Sequence, residues 1–311
     1  MLDTRLGFLA VDKPSGITSA DVVGILKKRF HLRKIGHTGT LDPLATGMLV
    51  VLWGDATKLA DFIQQGSKRY RAVARLGVVS STQDREGELT VTCPDPRVTL
   101  DQVTRLLPRY TGVITQVPPV FSAKKVNGRE AYKMARQGYA VELKPQEVTV
   151  HAITATGLDA DMLTIEAHVG CGTYVRTLVH DLGQDLGVGA CVESLRRLSL
   201  GAIPEEAMIT LEHLRDLARP EDALRPLEPR HLGACWIELD QDQHRTLCHG
   251  KTLAVPVDRV MTPERCWIPS STLLGFTPDR GPVAIMSRLD DPDPGTLLLH
   301  PRRIVQMGLT T

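Results

Sequence analysis

The sequence predicts an α+β fold with a second, small β-rich domain at its C-terminal end. Through residue 225, short apolar runs of strand length alternate with amphipathic segments of helical period. Residues 147–156 and 162–169 flank a short turn, which predicts two antiparallel strands. After Pro226 and Pro229, strand-length segments are separated by glycine and proline clusters. We therefore predict a large domain at 1–225 that folds without its neighbour, and a β-rich domain at 226–311.

The first elements follow from apolar spacing and from turn residues. Residues 7–11 predict a strand, and a Pro-Ser-Gly turn precedes a helix that begins near Ser19. The apolar residues that this helix would bury are Val22, Val23, Ile25 and Leu26. The next predicted elements are a strand at 47–53, a helix at 57–64 and a strand at 69–76.

Capping residues and helical periodicity predict the helices after residue 99. Thr99 followed by Gln102 is a capping-box pattern, which predicts that a helix begins there. The segments 174–186 and 190–196 are also predicted to be helical. Asp240 is expected to begin a short helix after an apolar run at 234–239.

Charge is distributed unevenly along a chain that is nearly neutral as a whole. Residues 1–140 carry 21 Lys and Arg against 12 Asp and Glu, whereas residues 141–311 carry 16 against 24. This asymmetry predicts a polyanionic partner for the N-terminal part. A hydrophobic fraction of 42% with 23% charged residues is typical of a folded chain and excludes a disordered or collagen-like one.

Missing signals disfavour several functional classes. No apolar run reaches the roughly 18 to 20 residues of a membrane helix and no signal peptide is evident, so we expect a cytoplasmic protein. The six cysteines form no CxxC pair, which predicts reduced thiols rather than a disulfide framework. Four histidines and cysteines near the start of the C-terminal part are candidate zinc ligands, but their spacing matches no standard zinc motif, so we expect no metal. These candidates are His231, Cys235, Cys248 and His249.

Basic side chains gather in three clusters of the N-terminal part, and they point to RNA. Tyrosine and phenylalanine are interleaved with them, which suits looped RNA, because aromatic rings stack on bases while cations neutralise phosphates. An exposed helix end, where cations complement the helix dipole, explains the first cluster equally well. The second cluster, 68–71, begins a strand. In the third cluster, residues 129, 132, 133 and 136 are predicted to lie on one face of a helix. The candidate RNA contacts are Lys27, Lys28, Arg33 and Lys34 in the first cluster and Lys124, Lys125, Arg129, Tyr132 and Arg136 in the third.

Residues 36–47, GHTGTLDPLATG, form a glycine-rich loop that carries one acid, Asp42, and leads into an apolar strand. An acid on such an ordered loop suggests catalysis. Asp42 before Pro43 is equally suited to cap a helix with proline at the first helical position, or to close a short turn. The glycines match neither a Walker loop nor GxGxxG, so no nucleotide cofactor is predicted. On the residues alone, the structural role of Asp42 as a helix cap is favoured over the catalytic one.

The same loop resembles the signature of the TruB family, the tRNA pseudouridine synthases that modify the T-loop uridine. The similarity follows the family's order from residue 9 to about residue 200. The other matching segments are KPSGITS at 13–19, KRY at 68–70, PPVFSA at 118–123, GTYVRTL at 172–178 and LRRL at 195–198. Just before Gly172 the chain reads Val169, Gly170 and Cys171 where the family often has Cys-Ser-Lys. This departure affects local substrate contacts rather than the reaction.

The resemblance implies roles for individual residues. Asp42 would be the catalytic aspartate, Tyr70 the aromatic residue against the target base, and Arg176 the cation paired with Asp42. His37 would help to unstack the T-loop, and Leu195 would line the site. The family's N-terminal motif adds two implied RNA contacts, Lys13 and Pro14.

The resemblance also implies the architecture and the partners. It implies a pseudouridine synthase catalytic domain with a central mixed sheet flanked by helices, followed by a PUA-like RNA-binding domain. The expected partner is the T-arm of tRNA, with no cofactor, no metal and no obligate protein partner. The chain is expected to act as a monomer.

The implied reaction converts the uridine at tRNA position 55 into pseudouridine. The bond from N1 to C1′ breaks, the uracil rotates, and C5 joins C1′, so the reaction is redox-neutral and needs no external group. A carboxylate can act as a nucleophile at C1′ or C6, or as a base at C2′. Two alternatives are a non-catalytic tRNA-binding or tRNA-folding protein with the same basic surface, and a glycoside hydrolase, which usually needs paired acids.

Overall fold

A computed structural model describes residues 6–122, 124–126, 129–137, 139, 141–264, 266–289 and 295–305; the side chains of residues 125, 126, 130, 132, 133 and 136 lie outside this description. The strands are β1 (Gly7–Lys13), β2 (Ile35–His37), β3 (Thr46–Trp53), β4 (Lys68–Leu76), β5 (Val78–Ser80), β6 (Leu89–Val91), β7 (Gly112–Gln116), β8 (Lys125–Val126), β9 (Arg129–Glu130), β10 (Gln146–Asp159), β11 (Met162–Val169), β12 (Ala190–Leu200), β13 (Met208–Thr210), β14 (Arg225–Pro226), β15 (Cys235–Glu238), β16 (Leu253–Pro256), β17 (Thr272–Thr277), β18 (Gly281–Leu289) and β19 (Thr296–Ile304).

The helices are α1 (Ser19–Arg29), α2 (Ala60–Gln64), α3 (Leu100–Leu106), α4 (Ala131–Arg136), α5 (Val175–Asp185), α6 (Leu211–Asp216), α7 (Pro229–Leu232) and α8 (Gln241–Cys248). Short 3-10 helices occupy Gly54–Leu59, Leu107–Tyr110, Glu205–Ala207, Pro220–Ala223 and Val257–Arg259. Within the described ranges, no helix has both the length and the apolar character needed to cross a membrane.

The chain divides into two compact units. The first contains Met1–Leu41, Met48–Gly66 and Leu200–Thr311, and the second contains Asp42–Gly47 and Ser67–Ser199. Strand β3 therefore begins in the second unit and continues in the first.

In the first unit, β1 lies between β3 and the parallel strand β13. The side chains of β1 and β3 are almost all buried, which explains their continuous apolar runs. Thr18 caps the N-terminus of α1: its hydroxyl accepts the Asp21 N–H, and the Asp21 carboxylate accepts the Thr18 N–H. The strand and helix predicted for this segment are confirmed.

The C-terminal part of the first unit forms a five-stranded sheet in the order β15, β17, β18, β19, β16. Strands β15 and β17 are parallel, and the pairs β17–β18, β18–β19 and β16–β19 are antiparallel. Asp240 caps α8 through a capping box with Gln243, as the sequence predicts. The prediction of a small β-rich C-terminal domain is confirmed.

This small sheet shares one apolar core with the N-terminal strands. Phe8, Met48 and Leu59 belong to the same buried cluster as Leu274 and Val305. In addition, the Trp267 indole N–H donates a hydrogen bond of 2.6 Å to the Phe62 carbonyl. The β-rich sheet and the first strands therefore stabilise each other. The domain division at residue 226 stays a sequence-based prediction.

The second unit contains consecutive sheet strands in the order β12, β4, β11, β10, β7. Strands β4 and β11 are antiparallel over their length, with Tyr70 opposite Ala167. At the start of β3, Thr46 and Gly47 pair in parallel with Arg196 and Arg197 of β12. Gly47 has φ +93°, and a Cβ added there would lie 2.3 Å from the Arg197 carbonyl oxygen. Only glycine allows this close approach of the two strands.

The sequence-based prediction is wrong for one segment and right only in part for a second. Residues 190–196, predicted to be helical, belong to strand β12, which lies between β3 and β4. Glu193 and Leu195 favour a helix locally, but pairing in a buried sheet overrides this propensity. The helix predicted at 57–64 is a 3-10 helix followed by the shorter α2. The large mixed sheet with flanking helices nevertheless confirms the predicted fold class.

Candidate active site

Asp42 lies in the turn that links β2 to β3. The Ala45 N–H donates to the Asp42 carbonyl at 3.1 Å, and the chain then enters β3 at Thr46. No helix begins at Pro43, so of the two structural roles considered for Asp42 the turn is found and the helix cap is not. Just before Asp42, the Leu41 N–H donates to the buried Ser19 hydroxyl at 2.8 Å. This bond fixes the backbone on the N-terminal side of Asp42.

The Arg176 side chain is buried and points its guanidinium at Asp42. Its Nε lies 3.0 Å from Asp42 Oδ2, with side-chain exposures of 5% for the arginine and 35% for the aspartate. Its terminal nitrogens donate to the Thr82 carbonyl at 2.9 Å and the Phe121 carbonyl at 2.8 Å. The predicted pairing of Asp42 with Arg176 is thus present, and the cation is itself held by the protein.

A second carboxylate, Asp84, contacts the same guanidinium, and the sequence analysis missed it. Asp84 Oδ2 lies 3.2 Å from an Arg176 terminal nitrogen, and its other oxygen accepts the Thr82 hydroxyl at 2.6 Å and the Glu86 N–H at 3.1 Å. A β-bridge with Val192 of β12 holds Asp84 in place. The cluster thus contains one buried cation and two acids. Only Asp42 keeps substantial exposure.

Tyr174 is a further residue of this cluster that the sequence analysis did not single out. It precedes α5, and the Gln116 amide holds its backbone N–H at 3.1 Å and its carbonyl at 3.3 Å. Burial raises the pKa of the Tyr174 phenol, and the charge of Asp42 acts in the same direction. The Ser122 hydroxyl and Arg176 oppose this rise. A neutral phenol therefore lies in the electrostatic environment of Asp42.

Tyr70 and Leu195 lie on neighbouring strands of the same unit. Tyr70 is half-buried on β4, and strand alternation places it on the same face as Lys68 and Ala72. Burial lowers the pKa of the Lys68 ammonium, and Arg197 acts in the same direction, whereas Cys171 opposes it. Leu195 is buried on β12, which is the neighbour of β4 in the sheet. Their roles against a bound base stay predictions.

The residues of the N-terminal motif have structural contacts. Lys13 is completely buried, and its ammonium donates to the Pro14 carbonyl at 2.8 Å and the Ile17 carbonyl at 2.7 Å. These bonds close the turn that precedes α1. Pro14 itself is exposed.

His37, which belongs to the glycine-rich loop, is half-buried on β2, and its Nδ1 accepts the Gly39 N–H at 3.3 Å.

The first basic cluster surrounds the C-terminal end of α1. An open groove of about 570 Å³ is lined there by Gly24, Lys27, Lys28, His31, Leu32 and Arg33. Lys34 is exposed, with Nζ 3.7 Å from Asp55 Oδ1. Arg29 instead donates to the carbonyls of Arg215 and Leu217 at 2.8 and 2.7 Å. The four predicted contacts of this cluster are therefore all exposed, while Arg29 fixes α1.

The third basic cluster is only partly described. The Lys124 ammonium donates to the Gln146 Oε1, and the Gln146 amide donates to the Gly172 carbonyl at 3.1 Å. Arg129 is exposed, but it lies in β9 rather than on the helix where the sequence places it. The single helical face predicted for this cluster is therefore wrong at Arg129. The side chains of Lys125, Tyr132 and Arg136 lie outside the described residues.

The residues weighed as a zinc site do not form a described metal cluster. Among the described residues, no group of three or more His, Cys, Asp and Glu could hold a metal ion. His231 is buried against Phe8 at a ring distance of 5.2 Å. Burial lowers the pKa of His231 to about 4, which keeps the imidazole neutral at pH 7.

Comparisons with known proteins agree on one family. A profile described as "TruB family pseudouridylate synthase (N terminal domain)" matches residues 27–175, and one described as "tRNA pseudouridylate synthase B C-terminal domain" matches residues 176–229. The chain is 45% identical over 267 residues to tRNA pseudouridine synthase B of Nitrosococcus oceani, covering 84% of this chain and 85% of that protein. It is 41% identical over 276 residues to the protein of the same name from Mannheimia succiniciproducens, covering 86% and 90%.

A solved structure shares the fold at lower identity. The structure titled "Crystal Structure of a Cbf5-Nop10-Gar1 Complex" contains a chain that is 24% identical, with a TM-score of 0.74. The match covers 98% of the chain described here and 86% of that chain.

Proposed function

The chain belongs to the TruB family and forms pseudouridine in tRNA, and from this premise we propose that it isomerises the T-loop uridine at tRNA position 55 with Asp42 as the catalytic carboxylate. The observation that carries the proposal is the 3.0 Å ion pair between Arg176 Nε and Asp42 Oδ2. The cation is buried, whereas the carboxylate is 35% exposed. An incoming base can therefore reach an acid whose ionised form the guanidinium favours.

The chemistry requires a charged carboxylate in a fixed position. Breaking the bond from N1 to C1′ can begin with attack by the carboxylate on C1′ or C6, or with proton removal at C2′, and each route uses an ionised Asp42. Hydrogen bonds to the Thr82 and Phe121 carbonyls and to the Asp84 carboxylate hold the Arg176 guanidinium in place. A cation fixed in this way stabilises developing charge without reorganising during the reaction. Asp84 therefore acts as a positioning residue.

Tyr70 supplies the surface on which the flipped uracil would rest. Its ring is half-buried on β4, and the adjacent strand β12 carries Leu195, which would line the same site. Removing a base from its stack costs a few kcal/mol. Stacking on an aromatic ring contributes about 1 to 3 kcal/mol per base and offsets part of this cost.

Basic surfaces in each unit would bind the phosphates of the T-arm. In the first unit these are the exposed Lys27, Lys28, Arg33 and Lys34, and in the second unit Lys124 and Arg129. His37, Pro14, Lys125, Tyr132 and Arg136 stay in the proposal on the family resemblance. Lys13 would act by shaping the turn before α1, because its ammonium is buried in bonds to carbonyls.

The alternative of a non-catalytic tRNA-binding protein is set aside, because the chain belongs to a family of isomerases. We propose that it acts as a cytoplasmic monomer without an obligate protein partner. The PUA-like role of the C-terminal sheet in RNA binding is part of the same proposal.

Mapping of the modified nucleotide tests the proposed substrate. T-arm stem-loops that each carry one altered loop uridine are incubated with the protein, and a loop of scrambled sequence on the same stem serves as the control. We expect pseudouridine at the position equivalent to 55, and its loss only when that uridine is altered. A product at another loop position would contradict the T-loop assignment, and free uracil would indicate hydrolysis.

A further inference from the structure

Gln83 lies between two residues that hold the Arg176 guanidinium. One terminal nitrogen of Arg176 donates both to the Thr82 carbonyl, at 2.9 Å, and to the Asp84 carboxylate, at 3.2 Å. The two neighbours of Gln83 in the chain therefore face the same nitrogen atom. The Nε of that guanidinium lies 3.0 Å from Asp42 Oδ2. The backbone conformation at Gln83 thus determines how the two acceptors converge on the cation that contacts Asp42.

The backbone at Gln83 has a conformation that residues with a side chain rarely adopt. Its φ of +65° lies in the left-handed region, which is unfavourable for every residue except glycine and, to a smaller degree, asparagine and aspartate. The turn around Gln83 would thus form more easily with glycine at this position. Strained backbone of this kind is concentrated at functional sites, where the surrounding contacts maintain it. A glutamine at this position indicates that its side chain has a role.

The backbone hydrogen bonds around Gln83 tie the turn to the sheet. The Gln83 N–H donates to the Ser80 carbonyl at 3.1 Å, and its carbonyl accepts the Val192 N–H at 3.0 Å. The Arg85 N–H donates to the Val192 carbonyl at 2.9 Å, which completes the β-bridge to β12. None of these bonds uses the glutamine side chain, so none of them explains why position 83 is not glycine.

The Gln83 side chain connects the same turn to helix α5. The Thr177 hydroxyl donates to Gln83 Oε1 at 3.0 Å. Thr177 directly follows Arg176 in α5, and it is only 3% exposed, so water competes little for its hydroxyl. A buried hydroxyl that loses its acceptor costs free energy, which makes this bond a strong constraint. The bond therefore fixes the distance between the turn and the helix that carries the guanidinium.

We propose that Gln83 is a positioning residue for the isomerisation. Through its bond to Thr177 it holds its two chain neighbours in the arrangement that orients the Arg176 guanidinium toward Asp42. A small displacement of a catalytic group lowers the rate of the chemical step more than the affinity for the substrate. The inference rests on the proposed catalytic role of Asp42, and it adds the contact that sets the orientation of the cation paired with that carboxylate.

Two variants break this bond from its opposite ends. Thr177→Val keeps the β-branched shape of threonine without the hydroxyl, and Gln83→Ala keeps a β-carbon at the left-handed position without the amide. The measurement is single-turnover release of tritium from tRNA labelled at C5 of uridine, because C5 loses its hydrogen when it joins C1′. We expect each variant to react about fivefold to tenfold more slowly, the factor that corresponds to one hydrogen bond, with tRNA affinity near wild type.

Further variants serve as controls. Thr177→Ser keeps the hydroxyl and should react at the wild-type rate. Thr104→Val should do the same, because the exposed Thr104 hydroxyl donates to the Leu100 carbonyl within α3, at 2.8 Å. The double variant of Gln83→Ala with Thr177→Val should be no slower than either single variant, because both changes break the same bond. Wild-type rates in both single variants, rate losses that multiply in the double variant, or an equal loss of tRNA affinity would overturn the proposal.

The same assay separates this inference from the proposed function. Tritium release reports pseudouridine formation at any labelled uridine of the tRNA, so it does not depend on the position that is modified. Asp42→Asn is measured alongside. Persistent turnover in Asp42→Asn would overturn the proposed function and this inference together. An inactive Asp42→Asn with wild-type rates in Gln83→Ala and Thr177→Val would overturn this inference alone.

Discussion

Arg176 Nε lies 3.0 Å from Asp42 Oδ2, and the same guanidinium donates to Thr82, Asp84 and Phe121 through its terminal nitrogens. The aspartate is thus oriented by a cation that the protein already fixes. Because the guanidinium is buried, each of its bonds replaces water that the folded chain excludes. Substitutions in this cluster should therefore affect both turnover and stability.

Arg176→Lys should lower turnover on a T-arm stem-loop by a factor on the order of 100, although the charge is kept. A lysine ammonium lacks the planar fork that reaches four partners at once, and it leaves buried carbonyls without donors. Single-turnover rates at saturating enzyme measure this effect. Arg105→Lys is the control, because Arg105 is exposed and pairs with Asp101 on the surface. A wild-type rate in Arg176→Lys would mean that charge alone suffices.

Asp84→Asn should lower the free energy of unfolding by about 2 to 3 kcal/mol, because it leaves the buried Arg176 with one anion fewer. Turnover should fall at least about tenfold while T-arm affinity stays near wild type, since Arg176 then loses its orientation rather than a contact with RNA. Urea unfolding and single-turnover rates measure the two effects. The exposed Asp95→Asn is the control. Lower stability with unchanged turnover would make Asp84 a structural residue only.

The sequence analysis predicted two of the three charged residues in this cluster, Asp42 and Arg176, and missed Asp84. The composition of the loop at 36–47 suggests a role for Asp42, whereas Arg176 and its pairing with Asp42 come from the resemblance to a family. Asp84 could not be found this way, because residues 81–87 read as an ordinary polar turn. Its position depends on the β-bridge to Val192, a contact between residues distant in sequence.

The fold was predictable where local pattern and tertiary environment agree. The capping boxes at Thr18, Thr99 and Asp240 are local signals, and each begins a helix in the structure. The segment at 190–196 failed because its helix-forming residues lie in a buried strand between β3 and β4. Whether such a segment becomes a helix or a buried strand depends on strands far along the chain with which it can pair, and a local pattern does not show them.

Tyr70→Phe separates two roles of this tyrosine. The ring is kept, so we expect T-arm affinity within a few-fold of wild type. We also propose that the Tyr70 hydroxyl accepts or relays the proton that C5 loses after C5 joins C1′. Phenylalanine lacks this hydroxyl, so turnover should fall strongly. Tyr70→Ala should impair both, because stacking contributes about 1 to 3 kcal/mol. Equal turnover in wild type and Tyr70→Phe would limit Tyr70 to stacking, and normal turnover in Tyr70→Ala would remove it from the site.

A chain that ends at Leu224 should not fold as the wild type does. The sequence pattern alone suggests that the first domain is independent, but the shared core leads to the opposite expectation. The truncation removes Leu232, Leu274 and Val305 from the cluster that contains Phe8 and Met48. Burying each such side chain contributes about 1.5 to 3 kcal/mol. Urea unfolding of the shorter chain should show a lost or strongly shifted transition relative to the full-length chain. A wild-type midpoint in the shorter chain would contradict the shared core.

The turnover of Asp42→Asn tests the central claim most directly. The amide is nearly the same size as the carboxylate, but it is neither a nucleophile nor a base, so pseudouridine formation in a T-arm stem-loop should be abolished. Binding of the same stem-loop should stay within a few-fold of wild type, because Asp42 contributes to the reaction rather than to phosphate contacts. The measurement is product formation by the purified, folded variant at saturating enzyme. Undetectable pseudouridine with retained binding is the predicted result, and persistent turnover would contradict the assignment of Asp42 as the catalytic residue.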